Sequence, residues 1–312
     1  MKNGNRDGLS RKGQIILDIK VLRYFLALAR EESVTAAAEY LHLTQPTLSR
    51  QLGELEEELG TTLFIRGSRR ITLTDEGMRL RKRAEEILEL VRKTEAEFQT
   101  PTEVISGDIY IGGGETYVMG LIADVIKDLQ RDHPQIHVHI FSGDADEVTE
   151  RIDKGLLDFG LLIEPANITK YESLLLPAKD TWGVLMKKDS PLAERKSVRP
   201  EDLWELPLII AKQKYVDDNI SKWIRRDLKK LDIVATYNLI FNATLMVEKG
   251  MGYALGIDKL VNTTGNSNLC FRPLEPSLKV DVDFVWKRYQ IFSKASDLFL
   301  QRLKKAFSTT ND

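Results

Sequence analysis

The sequence predicts an α/β protein in three parts: a small helical module closed by a hairpin, a long connecting helix, and a larger domain built as two α/β lobes. Three observations carry this. Residues 17–75 hold three short helix patterns and then two β-rich runs around a turn; residues 76–99 keep apolar steps of three and four without a proline; beyond residue 104 strands alternate with helices. A chain of 312 residues suits two or three domains, each with its own core. Its 42% hydrophobic and 29% charged fractions are near those of folded globular proteins, which favours neither disorder nor a membrane class. No run nears the roughly 20 apolar residues that span a bilayer, and residues 1–16 lack the apolar core of a signal peptide. No membrane partner is expected, and the cytoplasm is the expected location.

The cysteine count agrees, because Cys270 alone can form neither an intramolecular disulfide nor a cysteine-based zinc site. His137 and His139 stand two apart, as a metal pair on a strand would, but no third ligand follows at a suitable spacing, so a solvent-facing strand is expected and no metal. A net charge of −2 rules out nucleic-acid binding through bulk basicity. Any such binding must rest on locally placed groups.

Taken in order, residues 1–16 form a polar tail, expected to be disordered. "LDIKVLRYFLALAREES" spaces Leu22, Phe25, Leu26 and Leu28 as a helix, with Asp18 as its N-cap. "SVTAAAEYLHL" gives a short alanine-rich helix entered at Ser33 or Thr35, and "TTLFIRGSRRITLT" gives two short strands around a turn. Over 76–99 the series Gly77, Leu80, Ala84, Ile87, Val91, Thr94 and Phe98 forms a seam seeking another helix, which favours pairing between subunits over packing on its own domain. The remainder, 104–312, reads as βαβ units in two sets. One lobe is expected at about 104–164 and 285–312, the other at about 165–284.

The third helix raises the question of function. In "LTQPTLSRQLGELEEELG" Thr44 is a good N-cap, Pro46 falls in the first turn, and Leu48, Leu52, Leu55 and Leu59 make one buried stripe. The outward side then presents Gln45, Thr47, Ser49, Arg50 and Gln51, short hydrogen-bonding groups of the kind that read base edges in a major groove. Ala36, Ala37 and Ala38 let the preceding helix cross closely, so the pair makes a helix-turn-helix over 34–53. Arg66, Arg69 and Arg70 near the hairpin tip form a basic wing that grips phosphates and adds affinity without sequence information.

Residues 17–75, on the text "FLALAREESVTAAAEYLHLTQPTLSRQLGELEEELGTTLFIRGSRRITLTDEG", resemble the winged helix-turn-helix of LysR-type transcriptional regulators. From Leu17 onward the resemblance covers nearly the whole chain, with a highly specific N-terminal motif and a C-terminal part similar mainly in layout. It implies that Thr44, Gln45, Thr47, Ser49 and Arg50 face double-stranded promoter DNA, that residues 76–99 link and dimerise, and that the chain is a homodimer or homotetramer. It also implies a periplasmic-binding-protein-like (type 2) domain for 104–312, with a small-molecule effector in the cleft between the lobes. The tail departs from the family. "RKG" can be encoded by a purine-rich ribosome-binding run, so translation is expected to start at Leu17, an expectation that mass spectrometry of the native N-terminus checks.

For the effector, "IGGGETYVMG" is the most informative text. A strand ending in Gly113 and Gly114 leads to a helix expected near Glu115 or Thr116, whose free amides suit a small anion and whose Thr116 hydroxyl can donate. The Glu115 carboxylate can instead fill that place as an internal cap, which suits a cationic, hydroxylated or amino-bearing effector. Both classes stand open. By resemblance, Gly143 and Asp144, Ala211 to Gln213, and Phe241 and Asn242 also fall near the cleft, each equally readable as turn or cap chemistry.

Other classes fit less well. The chain lacks the spacing of a dinucleotide site, a phosphate loop and a nucleophile elbow, so no catalytic residue and no cofactor are expected. A free-standing solute-binding protein would share the lobes but would need export and would have no use for the first 100 residues.

Overall fold

A computed structural model of the chain describes residues 17–67, 70–99, 105–212 and 220–307. The tail at 1–16, Arg69 and Gln213 lie outside the described residues. The chain divides into two compact units, parted between Glu95 and Ala96.

In the first unit, helix α1 (Ile19–Glu31) begins where the Asp18 carboxylate accepts from the Lys20 amide at 2.8 Å. Helix α2 (Val34–Tyr40) is entered through Ser33, whose hydroxyl accepts from the Ala36 amide at 3.4 Å. Helix α3 (Gln45–Leu59) ends at Gly60, whose φ of 64° suits a residue without a side chain. The α3 stripe of Leu48, Leu52 and Leu55 is buried against Phe25, Leu28 and Ala37, while Leu59 packs at its margin. Strands β1 (Phe64–Arg66) and β2 (Ile71–Leu73) pair antiparallel as the hairpin. It is tied down from both sides: the Ile71 amide donates to the Glu32 carbonyl at 2.8 Å, and the Leu63 amide donates to the Glu56 carboxylate of α3 at 2.7 Å.

Helix α4 (Asp75–Gln99) is 25 residues long and uses its apolar seam in two ways. Gly77 and Ala84 are buried and Leu80 packs on the core of the first unit, so the first half of the seam is spent inside its own chain. Ile87 and Val91 are half-buried, and Phe98 is 86% exposed. The seam is therefore available to another helix only toward its C-terminal end. A step of three and four serves either kind of packing, which is why spacing does not separate them.

In the second unit the first lobe has a sheet of β3 (Gly107–Gly113), β4 (Ile136–Ser142), β5 (Phe159–Ile163), β6 (Tyr171–Leu175) and β13 (Val282–Lys287), in the order β4-β3-β5-β13-β6. Helices α5 (Met119–Asp132), α6 (Ala145–Asp153) and α8 (Lys294–Phe307) belong to this lobe, and Phe159, Phe284 and Phe299 meet at its centre with ring centroids 5.2 to 5.9 Å apart. The second lobe has β7 (Asp180–Lys187), β8 (Leu208–Ala211), β9 (Ile233–Tyr237), β10 (Tyr253–Ile257) and β11 (Leu269–Pro273), in the order β11-β7-β10-β8-β9, with β12 (Lys279–Val280) also on β7 and helix α7 (Ile240–Glu248) against the sheet.

Three elements differ from expectation. β6 lies in the first lobe, beside β13, so the crossing to the second lobe falls at 176–180 instead of about 165. The reason is the position of β13: its Val282, Phe284 and Val285 are fully buried, so its backbone amides and carbonyls are out of water and are paired on both edges, by β5 and by β6. The helix expected over "DNISKWIRRDLKK" is helical at 220–224, breaks at Arg225 with φ of 55°, and is followed by a separate short turn at Leu228–Lys230. Finally, α5 begins at Met119, later than Glu115 or Thr116.

Gly77 offers a sharp check on the first unit, because a Cβ there would lie 2.0 Å from the Leu63 carbonyl oxygen. Gly77→Ala is expected to destabilise this unit by about 1–3 kcal/mol through overpacking, seen as a lower urea midpoint for the loss of helical circular dichroism.

Candidate nucleic-acid interface and interlobe cleft

The outward face of α3 is exposed and knit together by its own hydrogen bonds. Thr44 sits at the N-cap with extended backbone, yet its hydroxyl bonds the Thr47 hydroxyl at 2.8 Å instead of capping an amide. The Gln45 amide donates to the Ser49 hydroxyl at 3.3 Å. One carboxylate, Glu54, takes the Arg50 guanidinium at 2.8 Å and the Gln51 amide at 2.6 Å. All of these contacts lie exposed to solvent, and an exposed ion pair of this kind contributes only about 0.2–1 kcal/mol. Arg50 can therefore leave Glu54 for a base or phosphate at small expense. On the hairpin Arg66 is exposed, and Arg70 lies 3.5 Å from Glu32. The sequence did not mark Glu54 as part of this surface, although its position four residues after Arg50 is the ordinary signal for such a pair.

The second candidate site lies between the lobes. A cavity of about 50 Å³ opens there, lined by Gly114, Glu115 and Glu164 from the first lobe and by Trp182, Ala211 and Tyr237 from the second. Of the residues expected from sequence, Gly114, Glu115 and Ala211 line it. Gly113, Thr116, Gly143 and Asn242 do not. The Gly113 carbonyl accepts from the Gly143 amide at 3.1 Å, and a Cβ on Gly143 would lie 2.7 Å from Glu147 Oε2, so both glycines serve close packing before α6. There Asp144 and Glu147 cap the helix reciprocally. Asn242 is exposed on α7. Thr116 is buried, and its hydroxyl accepts from the Val118 amide at 3.0 Å, so the turn before α5 satisfies its own amide.

The contact that organises the cleft links residues 125 apart. Glu115 Oε2, in the first lobe, accepts from the Ile240 amide, the first of α7 in the second lobe, at 2.6 Å. Leu239, the N-cap residue of α7, has no side chain to do this itself. Burial, and then the nearby Glu115 charge, push the Tyr237 phenol up, and its hydroxyl donates to the Leu255 carbonyl at 2.6 Å. Asp180, at the start of β7, is 3% exposed, and Asp180 Oδ2 has no hydrogen-bond partner among the described residues. Burial raises its pKa, opposed by the Thr116 hydroxyl and by Lys259. Sequence reasoning missed Glu164, Trp182 and Tyr237. Tyr237 closes β9 and Glu164 follows β5, and strand C-terminal ends are where ligands of open α/β sheets lie. Elsewhere, His137 and His139 are exposed on the edge strand β4, and His139 bonds Asp108 at 2.9 Å. Among the described residues no cluster has the makings of a metal site, and no helix is long and apolar enough to cross a membrane.

The model of bacterial regulatory helix-turn-helix proteins of the lysR family matches residues 19–78, and the model of the LysR substrate binding domain matches residues 102–308. The uncharacterized HTH-type transcriptional regulator YvbU of Bacillus subtilis (strain 168) is 26% identical over 93% of this chain and 99% of its own length. The HTH-type transcriptional regulator IlvY of Escherichia coli (strain K12) is 27% identical over 77% of this chain and 81% of its own. In fold, the chain is similar to full-length CbnR in complex with its target DNA, with a TM-score of 0.73 at 18% identity, covering 93% of this chain and all of that one.

Two outcomes are expected from these sites. Glu54→Ala, which releases Arg50 and Gln51 and removes a negative charge, should tighten DNA binding by up to about fivefold in low salt, with the gain shrinking in a fluorescence-anisotropy titration as salt rises. For Asp180, a pKa raised by folding means that a penalty is absent below the ordinary aspartate range and sets in as pH rises through the folded value. Asp180→Asn should then melt above the parent at neutral pH in calorimetry, and the gap should close in acid.

Proposed function

The chain belongs to the LysR family of bacterial regulatory helix-turn-helix proteins, and from that premise we propose that it binds specific promoter DNA through α3 under control of a small molecule held in the interlobe cleft. The observation that carries this reading is the division of α3 into two faces. Leu48, Leu52 and Leu55 are fully committed to the core, so Gln45, Thr47, Ser49, Arg50 and Gln51 are left outward as one hydrogen-bonding surface. Such a surface fits the major groove, where arginine pairs with guanine and glutamine with adenine. Arg66 and Arg70, with Arg69 beside them in sequence, would hold the flanking phosphates.

Two copies of the chain, joined along the exposed part of the α4 seam near Phe98, would present two recognition helices to an interrupted inverted repeat, and pairs of dimers would make a tetramer. Ligand in the cleft would favour one arrangement of the lobes, and through the oligomer alter the spacing and bend of the bound DNA. We take the chain to act in the cytoplasm, where promoter DNA lies, and as a regulator without catalysis, in keeping with relatives that are transcriptional regulators.

Arg50→Ala tests the reading. Loss of one bidentate base contact should weaken the specific complex by about 1–3 kcal/mol, roughly 5- to 150-fold, in a gel shift on a fragment selected from genomic DNA, while binding to random duplex changes little. A variant that protects the same site at the same concentration as the parent would remove α3 from the interface.

A further inference from the structure

The cleft has one position made for an anion, and the chain fills it. The first amides of a helix attract negative charge, and α7 has no capping side chain at Leu239. Glu115 reaches across from the other lobe and places Oε2 at 2.6 Å from the Ile240 amide, a short, charge-assisted bond. The free space that remains is about 50 Å³, room for roughly three to five waters and so for a ligand of a few heavy atoms. The ionisable groups that line it, among the described residues, are the Glu115 and Glu164 carboxylates and the Tyr237 phenol. No cation does. Lys259, which the structure ties to this region, lies over the Tyr117 ring at 4.8 Å and outside the lining.

We infer that Glu115 sets the charge class of the ligand: by occupying the anion position at the start of α7, it makes the cleft a site for a small amine-bearing molecule and closes it to carboxylates. A carboxylate ligand would have to expel Glu115 from the Ile240 amide and then face two negative groups. An ammonium group meets those same carboxylates as partners, with the aromatic residues Trp182 and Tyr237 also in the lining to suit its cationic end or its carbon stem. The position of Glu115 also explains why the choice is one of sign: a single side chain serves as helix cap, as bridge between lobes and as wall of the cavity. This inference rests on the reading of the cleft as the effector site.

The test uses the full chain with ethanolamine, methylammonium and 1,3-diaminopropane set against acetate and glycolate at constant ionic strength, followed by calorimetric titration and thermal shift. Saturable binding and a higher melting temperature are expected with the amines alone. Glu164→Gln and Glu115→Gln, which keep shape and lose charge, should weaken amine binding by about tenfold or more. Glu115→Ala should do more, since it bares the Ile240 amide, and acetate should then raise the melting temperature. Carboxylates that bind the parent as well as the amines do, amines that give no saturable response, or amine affinity unchanged in Glu115→Gln would each overturn the assignment. A footprint taken on the same samples separates this from the wider reading. Amine binding that leaves specific DNA protection unchanged upholds the charge class and removes the cleft's control of DNA, whereas carboxylates that alter protection remove the charge class alone.

Discussion

The backbone passes between the two lobes twice, at residues 176–180 and again around 280–282, and the cleft exists because of those two passages. Each joins the edge of one sheet to the body of the other, and they are bonded to their surroundings: the Glu164 amide donates to the Asp281 carbonyl at 2.9 Å, the Leu176 amide to the Val282 carbonyl at 3.0 Å, and Lys179 pairs with Asp281 at 2.8 Å. These two short tethers hold the lobes side by side. Groups at the ends of β5 and β9, and the start of α7, therefore face one another across the cavity. Ile163 belongs to the apolar surroundings of both lobe cores, which makes the hinge region continuous with each.

Within that frame the polar chemistry of the cleft is economical. Glu115 supplies the cap that α7 lacks, and Thr116, the next residue, turns inward to satisfy the Val118 amide and lowers the cost of the buried Asp180 charge. Adjacent residues thus send one side chain across the cleft and turn the other back onto its own loop. Asp180 retains an oxygen without a partner among the described residues, in surroundings that disfavour its charge. Burying such a group costs stability at the place where the crossing strand enters the second lobe.

The first unit solves a different problem with the same means. Its three helices and hairpin are too small to bury much surface, so alanines at 37 and 38 bring α1, α2 and α3 together, and Glu56 and the Glu32 carbonyl hold the hairpin by its backbone amides. Rigid support from behind leaves the outer face of α3 free to carry groups chosen for recognition. The bonds on that face, such as Arg50 to Glu54, lie in water and exchange readily, which suits a surface that must trade its own contacts for those of a partner.

Local pattern alone determined a good deal. The caps at Asp18 and Ser33, the leucine stripe of α3, the hairpin and the alternation of strands and helices after residue 104 all depend on neighbours within a few positions, and periodicity reports these directly. That α3 turns its Gln, Thr, Ser and Arg side chains outward was legible for the same reason. What only the tertiary structure decided involves residues far apart in the chain. Strand β6 joins the first lobe because both sides of β13 need cover, and the first half of the α4 seam is taken by its own unit because Leu63 comes to rest against Gly77. Glu115 could be read from sequence as a cap, but not as the cap of a helix 125 residues away. Periodicity names the face a side chain points to, and chain topology chooses what that face meets.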